Sequence, residues 1–167
     1  MSASTTQELF NILQTKQRAN DFIRLFDQIE GLSHHVGGLD IGEVLSSIYG
    51  DNKPDWVNHF AKNISGLSSG IIGDSDMRLL REVREMVENS TVVKVEINFI
   101  PSSEFISNVI STLKNKYDSM NFIIDVDTVD SLESGAIFYI EGNVIDLTVR
   151  KKVTSYLTTQ DVINRYL

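Results

Sequence analysis

The spacing of apolar residues changes near residue 91, and this change restricts the chain to a fold that combines helices with strands. Before residue 91, apolar residues recur at the spacing of one helix face. After it, Val93, Val95 and Ile97 alternate with polar residues, as in a strand with one buried face. We therefore predict an α+β protein with two domains, residues 1–90 and 91–167, that meet at residues 88–91.

Residues 1–90 predict an all-α helical bundle, because their apolar positions form four amphipathic stripes. The first stripe is long and unbroken, so we predict one continuous helix of about seven turns. Residues that favour helix ends separate the stripes. The predicted helices run from Ser4 to Gly31, from Asp40 to Gly50, from Pro54, and from Asp74 or Ser75.

Residues 91–167 predict a small β-α-β-β-α domain, one sheet with helices on one face. After the first strand, Pro101-Ser102-Ser103 begins a helix, and the apolar run at Phe122 makes a second strand. The clearest local signal follows. Residues 135–140 alternate, Glu141-Gly142-Asn143 makes a turn, and residues 144–149 alternate again, which indicates a β-hairpin. A last helix is predicted from about Lys151.

The hairpin resembles the C-terminal signature of the delta subunit of F-type ATP synthases, the family of the oligomycin-sensitivity-conferring protein. The resemblance is carried by Asp130, Leu132, Ser134-Gly135 and the run Asp146-Leu147-Thr148-Val149-Arg150. It covers residues 78–157 best. The chain departs from the family where a Gly-Gly pair becomes Ser134-Gly135 and where a serine becomes Thr148. No Tyr-Ala-x-Ala-Leu opening occurs near the N-terminus.

The resemblance implies a mechanical role as a peripheral-stalk, or stator, subunit. Such a subunit links the catalytic α/β head to the b-type stalk, so that the head resists the torque of the rotor. The implied partners are the N-termini of the α subunits and the b-type stalk subunit. The implied location is the cytoplasmic face of the cell membrane, with membrane contact only through the complex. No cofactor and no enzymatic activity of the chain itself are implied.

Candidate partner-binding residues follow from this role, because helix-in-groove docking needs an apolar groove. We expect the head to bind Leu9, Phe10, Leu13, Leu79 and Val83, and the stalk to bind Arg150 and Lys151. Each set has a plainer interpretation. The apolar residues could fill the core of the bundle, and the basic residues could be the solvated start of the last helix.

The sequence contains none of the motifs that would indicate catalysis or cofactor binding. It lacks a phosphate-binding glycine loop, a GxSxG elbow and an HExxH motif, and it has no cysteine. A calcium loop that starts at Asp125 would need glycine at position 130 and glutamate at 136, which are Asp130 and Ala136. The net charge of −8 argues against nucleic acid as a partner. We expect no metal site.

Two alternatives stay open from the sequence. One is a stator subunit of a V/A-type ATPase or of a flagellar export ATPase, in which a long charged helix precedes a related αβ domain. The glycine-rich breaks at residues 37–38 and 65–73 disfavour it. The other is a small α+β enzyme or ligand-binding protein whose hairpin matches the signature by coincidence.

Overall fold

The computed structural model describes residues 3–33, 41–50, 52–64, 72–117 and 120–151. Within these ranges the chain forms helices and a four-stranded sheet, so the predicted combination of helices and strands is confirmed. The chain divides into two compact units, Met1–Ser90 and Thr91–Leu167. None of the helices in these ranges is long and apolar enough to cross a membrane.

The described elements of the first unit are helices whose apolar faces meet. They are α1 (Ala3–Ile12), α2 (Lys16–Ser33), α3 (Ile41–Tyr49), α4 (Asp55–Lys62) and α5 (Asp74–Glu88). Helix α1 contacts α4 and α5, and α2 contacts α3 and α5. Aromatic rings fill the interior, where the Phe22 and Phe60 centroids lie 5.2 Å apart. Burial of such side chains contributes roughly 1.5–3 kcal/mol each.

The prediction of one continuous first helix is wrong, because the chain breaks at residues 13–15 between α1 and α2. Thr15 causes the break: its hydroxyl accepts a hydrogen bond from the Arg18 N–H at 3.4 Å, as an N-cap does. The Arg18 guanidinium in turn donates to the Ile12 carbonyl at 3.2 Å, which supplies a partner at the end of α1. Gly31 also does not end the second helix, which continues to Ser33.

Other helix limits lie within two residues of their predicted positions. Gly50, with a φ of 55°, ends α3 as expected, whereas Asp40 lies outside the described residues. Pro54 stands just before α4 instead of at its first position. Gly73, and not Asp74 or Ser75, is the cap of α5, because its N–H donates to the Asp76 carboxylate at 3.1 Å.

The second unit is a mixed sheet with one described helix. Its elements are β1 (Thr91–Ile97), α6 (Ser103–Lys116), β2 (Phe122–Thr128), β3 (Ala136–Ile140) and β4 (Asn143–Asp146). The sheet order is β2-β1-β3-β4; β1 pairs with β2 in parallel and with β3 antiparallel. The four strands predicted from the sequence are present, although the predicted order β-α-β-β-α counts only three of them. Residues 149–151 begin a helical turn, and the rest of the predicted last helix lies outside the described residues.

Helix α6 covers one face of this sheet, because the strands present every second side chain to it. Val93, Val95 and Ile97 of β1 are fully buried against Ile106 and Ile110 of α6. Ser102 caps α6, since its hydroxyl accepts a hydrogen bond from the Phe105 N–H at 3.1 Å. The opposite face of the sheet is polar at its centre.

Candidate functional site

The hairpin that carries the resemblance has a tight two-residue turn. Glu141 and Gly142 have φ angles of 48° and 80°, so both central residues are left-handed. This is the feature of a type I′ turn, whose twist matches that of the flanking strands. The turn sets the register in which Ile140 pairs with Asn143 and Ile137 pairs with Asp146. The predicted hairpin is confirmed, but its second strand is Asn143–Asp146 and not residues 144–149, and Asn143 belongs to this strand instead of the turn.

The other end of the hairpin contains a close backbone approach that only glycine permits. Gly135 has a φ of 130°, and a Cβ at this position would lie 2.6 Å from the Leu147 carbonyl oxygen and 2.6 Å from the Thr148 Cα. Both neighbours are backbone atoms, so a side chain could not be accommodated by a rotamer change. Hydrogen bonds on either side, from Leu147 N to Ala136 O and from Val149 N to Ser134 O, hold the two segments together.

Asp146 and Thr148 close this end of the hairpin through a side-chain turn. The Asp146 carboxylate accepts hydrogen bonds from the Thr148 N–H at 2.9 Å and from the Thr148 hydroxyl at 2.7 Å. These two bonds lower the pKa of Asp146. The buried Thr148 hydroxyl also accepts a hydrogen bond from the Lys151 N–H at 3.3 Å, so it acts as the cap of the helical turn that follows.

We call Gly135, Asp146, Leu147 and Thr148 the hairpin joint. The sequence places Gly135 eleven or more positions before the other three, and only the strand pairing brings them together. Their arrangement directs the chain from β4 into the next helical turn at a defined angle. The one carboxylate of the joint, that of Asp146, is held by the backbone N–H and the hydroxyl of Thr148.

The residues predicted to bind the head are not on the surface of the first unit. Leu9, Phe10, Leu13 and Val83 have no exposed area, and Leu79 is 1% exposed. They lie on α1 and α5 and the turn after α1, and they pack into the interior between these helices. Their contact with the head stays a prediction, and it would require the unit to open. The sequence could not separate a core stripe from a groove, since both use the same spacing.

The predicted stalk residues Arg150 and Lys151 are exposed at the start of the last helical turn. The charge of Lys151 also helps to lower the pKa of Asp146, so this cation acts on the hairpin joint. The structure thus places both basic residues beside the joint. Their contact with a stalk subunit stays a prediction.

A polar cluster on the open face of the sheet was missed in the sequence. Lys94 Nζ lies 2.9 Å from a Glu96 oxygen and 3.4 Å from Asp127, and the Tyr139 hydroxyl donates to Glu96 at 2.9 Å. The hydrogen bond to Glu96 makes the largest contribution to the raised pKa of Lys94, and the hydrogen bond to Asp127 the second largest. The hydrogen bond from Lys94 in turn lowers the pKa of Glu96. The i, i+2 spacing of Lys94 and Glu96 indicates that both side chains lie on the same face of β1. The sequence does not identify their partners on β2 and β3, because these depend on the register of strand pairing.

This cluster ties three strands together, with the Lys94 ammonium between two carboxylates. Lys94 pairs with Tyr139 across β3, and Glu96 pairs with Asp127 across β2. Asp127 is thus beside a lysine ammonium. Over the residues that the structure describes, no group of three His, Asp or Glu side chains is arranged to hold a metal ion.

No protein-family model matches this chain, and a search of curated proteins finds no similar sequence.

Proposed function

We propose that this protein is a peripheral-stalk subunit of an F-type ATP synthase, which links the catalytic head to the b-type stalk and resists rotor torque. One observation supports the proposal more than any other. The residues that carry the resemblance at the end of the hairpin away from its turn, Gly135 and the run from Asp146 to Thr148, form the hairpin joint. The residues that match the family signature therefore contact each other in the folded chain. A chance match at unrelated positions would give no reason for such contacts.

The proposal assigns one partner to each unit. The first unit is a helical bundle that receives the N-termini of the α subunits, and the second unit receives the end of the b-type stalk. A subunit that transmits force needs rigid interiors and broad contact surfaces. The aromatic interior of the first unit and the fully buried strand residues of the second supply such interiors. In this role the protein lies at the cytoplasmic face of the cell membrane, within the complex.

The burial of the predicted head-binding side chains changes where we propose that the first unit contacts the head. Because Leu9, Phe10 and Leu13 are buried, we propose that they hold the helices in place. The α-subunit segment would then bind exposed surface on other helices of the first unit. Helices α2 and α5 present one such surface, where Arg84 lies 2.9 Å from Asp27 and Arg81 lies 3.1 Å from Glu30.

The test is reconstitution of the full chain with the catalytic head and with the soluble part of the b-type stalk subunit from the same genome. Native mass spectrometry should show one copy of the chain in a complex with each partner, and one copy bridging both. Gly135→Ala should reduce binding to the stalk and leave binding to the head unchanged, because it disturbs only the second unit. A chain that binds neither partner would refute the proposed function.

A further inference from the structure

Strand β4 is an edge of the sheet, and no strand of the described residues pairs with its outer side. The order β2-β1-β3-β4 leaves β2 and β4 as the two edges. Strand β2 carries the carboxylates of Asp125 and Asp127, and charges of this kind protect an edge against pairing with another chain. Strand β4 instead has Val144 and Ile145 at its centre, 58% and 36% exposed. It is therefore the edge more open to a further strand.

The hydrogen bonds of the hairpin show which backbone groups of β4 point outward. Antiparallel strands alternate between pairs that exchange both backbone hydrogen bonds and pairs that exchange none. Asn143, which flanks the two-residue turn, belongs to a bonded pair, and so does Leu147, whose N–H donates to the Ala136 carbonyl at 2.9 Å. The N–H and C=O groups of Val144 and Asp146 therefore point away from β3.

We propose that β4 pairs antiparallel with β4 of a second copy of this chain, about a two-fold axis at Ile145. In this register Val144 of each copy lies opposite Asp146 of the other, so every outward N–H and C=O of these residues has a partner. The two Ile145 side chains lie side by side on the face of the sheet that α6 covers, because Ile145 pairs with Phe138, which packs against that core.

The two nearest symmetric registers with the same hydrogen-bond pattern do not fit. An axis at Val144 would pair Asp146 with Gly142, which lies in the turn with a φ of 80°. An axis at Asp146 would set two carboxylates opposite each other. It would also need the Thr148 N–H, which donates to the Asp146 carboxylate at 2.9 Å. The strand is thus complementary to itself in the register about Ile145, and this favours a second copy over an unrelated strand.

The charges at the two ends of β4 favour antiparallel over parallel pairing. Exposed Glu141 lies in the turn before β4, and exposed Arg150 and Lys151 follow the strand. Asp130 and Glu133 are also exposed near the basic end, but they lie on the connection from β2 to β3, on the inner side of β4. Antiparallel pairing brings Glu141 of one copy beside residues 149–151 of the other, whereas parallel pairing would align like charges.

The contact is small, so we expect a weak dimer. An edge of 4 residues buries much less than the roughly 1,200–2,000 Å² of a stable interface. The expected Kd is on the order of 100 µM. This inference goes beyond the proposed function and does not rest on it, because it uses only the sheet of the second unit.

Introduced thiols test the register directly, because the chain has no cysteine. Ile145→Cys sets two thiols in an opposed pair with Cα atoms about 4.5 Å apart, within the range that a disulfide spans. Val144→Cys is the matched control, because its thiols would be diagonal neighbours with Cα atoms about 7–8 Å apart, beyond that range. Val144 is also the more exposed of the two residues, so random collision would favour the control.

Oxidised glutathione should therefore convert Ile145→Cys to disulfide-linked dimers at least about tenfold faster than Val144→Cys. Equal rates, or faster cross-linking of Val144→Cys, would overturn the inference.

Sedimentation velocity of the full chain, from about 10 µM to about 1 mM, measures the association itself. The wild type should change from monomer to dimer over this range. Val144→Pro removes an outward N–H and should weaken dimerisation at least about tenfold, whereas Val144→Thr keeps it and should change dimerisation less than about twofold.

A wild type that stays monomeric would leave the edge to an extended segment of another protein and would overturn the inference. A Val144→Pro variant that dimerises like the wild type would overturn it as well. Far-UV circular dichroism shows whether Val144→Pro is folded, and the cysteine comparison decides where it is not. None of these outcomes affects the proposed binding to the head or the stalk, so the two proposals fail separately.

Discussion

Replacing Gly135 with alanine tests the hairpin joint most directly. The added Cβ would lie 2.6 Å from the Leu147 carbonyl oxygen, well inside contact distance, and a φ of 130° is strained for any residue other than glycine. The strained backbone costs about 1–3 kcal/mol. Relief of the clash requires β4 to move from β3, which costs a further 1–3 kcal/mol, about the cost of overpacking a core. We expect the second unit to lose about 2–6 kcal/mol of stability.

The matched control for this variant is Gly142→Ala. Gly142 also has a positive φ, 80°, but no atom lies within 4 Å of a Cβ at this position. The control therefore carries the conformational cost of about 1 kcal/mol without the clash. Since 1 kcal/mol shifts the Tm of a domain of 60–100 residues by about 4–8 °C, Gly135→Ala should lower the Tm of the second unit by at least about 8 °C.

Two measurements separate the units in this experiment. Amide hydrogen exchange of peptides from β3 and β4 reports opening of the hairpin, which should become much faster in Gly135→Ala. Fluorescence of Trp56, the one tryptophan of the chain and buried in α4, reports the first unit and should not change. Equal destabilisation by Gly135→Ala and Gly142→Ala would show that the close approach is unimportant, and the reasoning about the joint would fail.

Four further predictions concern single residues. Hydrogen bonds from Thr148 lower the pKa of Asp146 in the folded protein. The ionised carboxylate therefore stabilises the fold above its usual pKa of 3.8, and this stabilisation is lost as the pH falls through the lower pKa of the folded state. Asp146→Asn should make stability depend less on pH in this acid range. Glu141→Asn should stabilise the hairpin by about 0.5–1 kcal/mol in urea unfolding, because asparagine tolerates the left-handed turn. Ser102→Ala should cost about 1 kcal/mol in the same assay, through loss of the α6 cap. Leu13→Ala should lower the free energy of unfolding by about 2–5 kcal/mol, so the unfolding transition seen in Trp56 fluorescence should move to a lower urea concentration. A variant as stable as the wild type would instead indicate that Leu13 lines a surface groove.

Local patterns predicted those elements whose causes lie within a few residues. The alternation at Val93, Val95 and Ile97 predicted β1, because a strand with one buried face needs this spacing. The Glu141-Gly142 pair predicted the hairpin turn, because few residues tolerate positive φ. The change of periodicity near residue 91 coincides with the division between the two compact units.

Predictions failed where a local interaction competed with a continuous pattern. The apolar stripe runs on from α1 to α2, so it gave no sign of the break that the Thr15 cap introduces. The five side chains expected to form a groove had the same spacing as core residues, and they are buried. Periodicity identifies which face of a helix is apolar, but it does not identify what covers that face.

The sequence by itself determined the type of most elements, the hairpin turn and the division of the chain near residue 91, because backbone preference and the spacing of apolar residues are local properties. The tertiary structure alone decided that β1 lies between β2 and β3, which brings Lys94 to Tyr139 and Glu96 to Asp127. It also decided that Gly135 meets Leu147 and Thr148. These contacts join residues that are distant in the chain. The strand pairing that forms is the one that buries the apolar faces of the helices and strands, and no single segment can bury its apolar face alone.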